Sequence, residues 1–156
     1  MAYLKTPEEQ QKIIAGGKIL GKILEKLAKM AKPGVSAFEI DQEAEKLIRK
    51  AGGLPAFKGY QNKKSDPPFP NTICACLNEE LVHGVATKGK LLKDGDIFSI
   101  DIGMEYPAGS SKKQETRNKQ RGYFTDTSIT VAIGEIPAET KELLRVTKEA
   151  LEVGIK

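Results

Sequence analysis

The sequence predicts an α+β fold in which an antiparallel sheet is flanked by helices. Three observations carry this prediction. Two amphipathic helical patterns come first, three strand-like stretches follow, and one more amphipathic helix closes the 156-residue chain. At each change the apolar residues switch between a spacing of about 3.6 and a spacing of about two. A single domain, residues 1–156, suits this length.

The first helix is expected over about residues 6–31. Thr6 supplies an N-cap, Pro7 suits the first helical position, and Glu8 and Glu9 favour the positive end of the helix dipole. Ile13, Gly17, Leu20, Leu24 and Leu27 recur on one apolar face, while Lys18, Lys22, Lys26 and Lys29 form a solvated polar side. Gly16, Gly17 and Gly21 weaken the helix but let a sheet approach closely. Pro33-Gly34 ends it. Ser36 and Glu39 then make a capping box for a second helix, with Ile40, Ala44, Leu47 and Ile48 on its inner face, and Gly52-Gly53 stops that helix.

Residues 54–71 read as loop, because the run Ser65-Asp66-Pro67-Pro68-Phe69-Pro70 precludes regular structure. Strands are expected at 73–77, 96–104 and 123–133, with Asp94-Gly95 as a turn signal before the second. Between the last two strands, residues 106–121 are polar and basic and read as a flexible insertion at a hairpin tip. The last helix begins near Pro137 and carries Leu143, Leu144, Val146, Ala150 and Leu151. Its pattern echoes the end of the first helix, a weak sign of an internal repeat.

Composition narrows the function classes. The chain is 39% hydrophobic and 29% charged, as in a soluble globular protein. It holds no apolar run near the roughly 18 residues of a membrane span. The N-terminus has no basic start followed by an apolar run, so no signal peptide is expected and the cytoplasm is the expected location. A net charge of +4 tolerates anionic neighbours without requiring them. Tryptophan is absent and the few aromatics do not alternate with basic residues, which disfavours a stacking platform for single-stranded nucleic acid. Cys74 and Cys76 sit two apart on one expected strand face, a poor geometry for a disulfide, and read as reduced thiols lining a core or pocket.

Two aspartates carry the chemistry. Asp101 ends the run Asp96-Ile97-Phe98-Ser99-Ile100-Asp101, and Asp126 lies in Gly122-Tyr123-Phe124-Thr125-Asp126-Thr127-Ser128. A carboxylate embedded in an apolar strand pattern is costly unless a cation meets it. Two such carboxylates on strands able to pair as a hairpin point to a shared divalent metal, although each alone also reads as an ordinary surface aspartate. His83, the lone histidine, precedes Gly84 in Asn78-Glu79-Glu80-Leu81-Val82-His83-Gly84. A loop histidine satisfied by backbone is its plainer reading.

Together, Phe57-Lys58-Gly59-Tyr60, Phe69-Pro70-Asn71-Thr72-Ile73-Cys74, the Asn78 to Gly84 segment and the Asp94 to Asp101 segment resemble type I methionine aminopeptidases. The resemblance implies a pita-bread fold, two pseudo-symmetric α+β halves around a dinuclear metal centre, of which this chain matches the N-terminal half. It implies that Asp101 chelates one metal and Asp126 bridges two divalent ions, whether Co, Mn, Fe or Zn. It implies that His83 contacts the scissile amide of a nascent polypeptide N-terminus, and that Phe57, Tyr60, Phe69 and Cys74 wall the methionine side-chain pocket. A thioether suits an apolar, polarizable pocket.

The chain departs from the family in three places. A small insertion separates Tyr60 from Phe69, and the 106–121 insertion separates the two aspartates. Lys112, Lys113, Arg117, Lys119 and Arg121 make the latter basic, which raises contact with ribosomal RNA as one expectation beside a plain surface insert. The family's second half, which supplies a histidine and two glutamates to the metals, has no counterpart here. Three readings follow: part of a longer enzyme, a half-protein that pairs with a second polypeptide or with itself, or a non-catalytic binding module of the same fold. A proline-specific peptidase such as an X-Pro dipeptidase is the rival enzyme.

Overall fold

A computed structural model describes residues 4–108 and 122–156. Helix α1 runs Pro7–Met30 and α2 Ala37–Lys50. Both start with reciprocal capping boxes. Thr6 N–H donates to the Glu9 carboxylate at 2.8 Å and Glu9 N–H donates to the Thr6 hydroxyl at 3.3 Å. Ser36 and Glu39 repeat this at 2.9 and 3.2 Å. Each box satisfies two amides that a helix start leaves without intrahelical partners.

Four strands follow: β1 (Leu54–Pro55), β2 (Ile73–Leu77), β3 (Ile97–Tyr106) and β4 (Tyr123–Ala132). Helix α3 (Ala138–Ile155) ends the chain. All pairings are antiparallel. Strand β3 is central, with β2 and β1 along one edge and β4 along the other. The short β1 lies in the region expected to be loop. Two residues show no periodicity, and their pairing with Met104 and Glu105 is made by partners far away in sequence. Strand β3 also runs on to Tyr106, two residues past its expected end and into the span read as insertion. The basic stretch 109–121 lies outside the described residues.

Alternation gives the sheet two unlike faces. Phe98, Ile100, Ile102 and Met104 of β3 point one way and are fully buried, as are Ile73 and Ala75 of β2. They pack against Leu20, Leu24 and Leu27 of α1 and Ile40, Ala44 and Ile48 of α2 in one cluster. Each large side chain removed from water there contributes about 1.5–3 kcal/mol. Helix α1 crosses close over the hairpin at Gly16, where an added Cβ would sit 3.3 Å from Thr125 Cγ2 and 3.4 Å from Tyr106 Cβ. Gly16 thus meets the expectation of close packing, whereas Gly21 has nothing within 4 Å. The opposite face of β3 carries Ser99, Asp101, Gly103 and Glu105, and no helix of the described residues covers it.

Helix α3 forms as its pattern predicts, yet it has no buried residue. Leu143 is 56% exposed and Leu151 64%. Its apolar stripe meets no core among the described residues.

Candidate active site

Register decides which side chains meet on the open face. Residues directly opposite in an antiparallel pair project to the same side. Asp101 lies opposite Cys74 on β2 and Ser128 on β4, and Gly103 lies opposite Asp126. The two aspartates are therefore diagonal neighbours, about 7–8 Å apart or somewhat less at Cβ. The hairpin stays in register up to Tyr106 and Tyr123, so the intervening insertion does not separate them.

Asp101 is half-buried, and its Oδ1 is buried without a hydrogen-bond partner. Burial pushes its carboxyl above the ordinary range, and the Asp126 charge pushes the same way. His83 and the Ile102 N–H offset part of this. Asp126 itself is exposed.

Cys74 is 5% exposed. Burial, followed by the Asp101 charge, pushes its thiol up to about 11. It stays protonated at neutral pH and presents a soft, apolar wall rather than a thiolate ligand. Beside it, Gly103 makes room for Phe57. An added Cβ at Gly103 would lie 2.6 Å from Phe57 Cε1, so the ring rests directly on β3 in the row of Asp126. The 61–68 insertion closes on itself at its base, because Gly59 N–H donates to Phe69 O at 2.8 Å and Phe69 N–H to Tyr60 O at 2.9 Å. Phe57 and Cys74 thus come to the aspartates. Tyr60 is 64% exposed and Phe69 half-buried, joined by the backbone hydrogen bond between them.

His83 comes from the turn after β2. It holds a left-handed backbone, φ 57°, as does Asn78 at φ 53°. Such conformations cost non-glycine residues stability and persist where surrounding contacts fix them. Here Gly84 O accepts from Ala75 N–H at 2.8 Å, and Gly84 N–H points at Cys76 Sγ at 3.3 Å. A Cβ on Gly84 would fall 2.3 Å from Ala75 O, so only glycine fits. The His83 imidazole is exposed to solvent.

An unpartnered buried carboxylate oxygen next to a second carboxylate is what a divalent cation relieves, so Asp101 and Asp126 fit as part of such a site. Among the described residues, no group of three His, Cys, Asp or Glu side chains is placed to hold a metal ion. The two carboxylates supply part of a donor set and the described residues do not complete it.

Three supporting residues have no role in the sequence reading, although Asn71 stands inside a quoted motif. Asp41, 1% exposed, accepts from Thr72 N–H at 2.7 Å, Ile73 N–H at 3.1 Å and Asn71 Nδ2 at 3.1 Å. Asn71 in turn bonds both Ala86 N–H and Ala86 O. Lys90 reaches Glu80 and the Ala75 carbonyl. The signal for Asp41 is present in the sequence: it falls on the buried stripe of α2, beside Ile40, Ala44 and Ile48.

The model of metallopeptidase family M24 matches residues 11–156. The chain belongs to metallopeptidase family M24. Methionine aminopeptidase 1 of Bacillus subtilis (strain 168) is 40% identical across all 156 residues of this M24 chain, which cover 54% of that protein. Methionine aminopeptidase from Thermotoga maritima superposes with a TM-score of 0.83 at 33% identity, over all of this chain and 55% of that one. The Xaa-Pro dipeptidase from Bacillus anthracis shares the fold, at a TM-score of 0.68 and 24% identity, over 94% of this chain and 34% of that one. The M24 chain spans about half the length of the curated relatives it matches. Its sheet and helices correspond to half of a pita-bread fold, as the sequence predicts.

Proposed function

We propose that this chain carries the metal-facing and substrate-facing half of an aminopeptidase that removes the N-terminal methionine from new polypeptides. The observation that carries the reading is the buried, unpartnered Asp101 Oδ1, diagonal to Asp126 and beside Cys74 and His83. Asp101 and Asp126 hold two divalent cations of the Co, Mn, Fe or Zn kind. Bound there, such ions supply Lewis-acid activation of water and of a peptide carbonyl. The chain's own residues do the rest. His83 donates to the scissile amide and steadies the charge that develops on its oxygen. Phe57 and Cys74, with Phe69 and Tyr60 at the rim, form an apolar pocket for the methionine side chain, and the protonated thiol makes it tolerant of sulfur.

Two carboxylates are fewer donors than such an ion takes. The remaining ligands come from a second α+β half, supplied by further polypeptide or by a second copy of this chain. The bare apolar stripe of α3 supports a partner at that end. Methionine specificity is favoured over X-Pro hydrolysis by the Phe57 ring on Gly103 and by the greater likeness to methionine aminopeptidases.

Incubating the purified chain with Mn²⁺ or Co²⁺ and a Met-Ala peptide tests the reading, with an Ala-Pro peptide and Asp126→Ala alongside. Metal-dependent methionine release that disappears in the variant supports it. Release from Ala-Pro instead favours the proline-specific rival. Retained partner binding with no turnover of either peptide, indifferent to both aspartates, favours a non-catalytic module.

A further inference from the structure

The turn between Asn78 and Gly84 delivers His83, yet little of it is packed. Leu81 is 87% exposed and Val82 64%. Its ends are fixed by hydrogen bonds: Asn78 Oδ1 accepts from Ile97 N–H at 3.0 Å, and Gly84 O accepts from Ala75 N–H at 2.8 Å. Between them Glu80 accepts from Leu77 N–H, at the end of β2, at 2.8 Å. Lys90 links the same carboxylate to the middle of β2. Its Nζ donates to Glu80 at 2.7 and 2.9 Å and to the Ala75 carbonyl at 2.9 Å, and its side chain is only 14% exposed.

The backbone beneath Lys90 is immobilised by α2. Ala37 N–H donates to Lys90 O at 2.9 Å, Leu92 N–H donates to Val35 O at 2.9 Å, and Ser36 bridges to Leu91. A rigid base therefore carries a shielded ammonium that grips both β2 and the middle of the histidine turn. An ammonium with three donors, all directed at acceptors in this geometry, leaves the turn few alternative positions.

We propose that Lys90 is a positioning residue for His83: it locks Glu80 onto the middle of β2 and thereby fixes the turn that carries the His83 imidazole. The inference rests on the reading of His83 as the residue that meets the scissile amide. It predicts that the ammonium, and not the length of the side chain, is what matters. Lys90→Met keeps the apolar stem and removes the charge, whereas Lys90→Arg keeps donors for both Glu80 and the Ala75 carbonyl.

The lone histidine makes the test clean. In the uniformly labelled full chain, His83 gives one set of imidazole signals and one backbone amide. In wild type, the adjoining Gly84 amide, 3.3 Å from Cys76 Sγ, is expected to show a cross-relaxation contact to the Cys76 β protons. Lys90→Met is expected to lose this contact and to move the imidazole signals by more than a linewidth, while amides of the helix-covered core stay unshifted. Lys90→Arg restores both. Should Lys90→Met fail to fold, Glu80→Gln weakens the same clamp without touching Lys90, and the same loss is expected. Unchanged His83 signals in the folded variant overturn the proposal. The reading beneath it fails separately: His83→Ala that leaves peptide turnover unchanged refutes a substrate role while leaving the effect of Lys90 on His83 measurable.

Discussion

Replacing Asp41 tests how the site-bearing strand is held. Asp41 is 1% exposed, and its Oδ1 accepts from both Thr72 and Ile73 N–H at 2.7 and 3.1 Å. Thr72 and Ile73 are 0% exposed, so water cannot take over in the variant without rearrangement. Asp41→Ala orphans two buried amides, each costing about 1–3 kcal/mol, and strips Asn71 of one acceptor. The total is about 3–5 kcal/mol. At this chain length that lowers Tm by about 10 °C, taking about 2–4 °C per kcal/mol. Asp41→Asn keeps an oxygen for the two amides but turns an NH2 toward Asn71 Nδ2. Asn71 cannot flip to meet it, because its own oxygen and nitrogen are engaged by Ala86 N–H and Ala86 O. The expected cost is therefore intermediate, about 1–2 kcal/mol. Guanidinium unfolding followed by circular dichroism, with unchanged m-values, reads both. A loss under about 1 kcal/mol for Asp41→Ala, or equal losses for the two variants, refutes the reasoning.

Other consequences are as direct. Gly84→Ala forces a methyl to within 2.3 Å of the Ala75 carbonyl, so it destabilises by about 1–3 kcal/mol or more in thermal unfolding. Asp101→Asn stabilises the metal-free chain at neutral pH. The folded carboxyl pKa is raised, so the native state is penalised once the group ionises. The advantage of Asn over Asp in Tm shrinks as pH falls from the raised value through the ordinary carboxylate value and is gone below both, where both states hold the proton; a constant gap would contradict the cause given. The Cys74 thiol, at about 11, alkylates far more slowly at pH 8 than in the unfolded chain. Its contribution to stability is lost as pH rises from its ordinary value near 9.0 through about 11, a loss that Cys74→Ser diminishes in alkaline unfolding curves.

Much of this architecture is legible in local sequence. The capping residues Thr6 and Ser36 and the strand at 73–77 need only near neighbours to define them, and they stand where the pattern puts them. Strand β1 is not legible, because its two residues acquire strand form only from β3. Asp101 and Asp126 are nameable as carboxylates in strands. Whether they share a face depends on hairpin register, which the intervening insertion hides from sequence. The left-handed backbone at His83 and the grip of Lys90 on residues 75 and 80 are tertiary features that no motif spacing records. Helix α3 teaches the converse. Its amphipathic period predicts a helix correctly, but period alone does not say whether anything covers the apolar side.

The central claim is that Asp101 and Asp126 hold divalent cations on the open face of the sheet. Calorimetric titration of Mn²⁺ into the full chain, beside Asp126→Ala and Asp101→Asn, addresses it without requiring turnover. The account predicts saturable binding that either substitution weakens by about tenfold or more. Wild type and both variants binding Mn²⁺ equally, or wild type not binding it at all, would contradict the account.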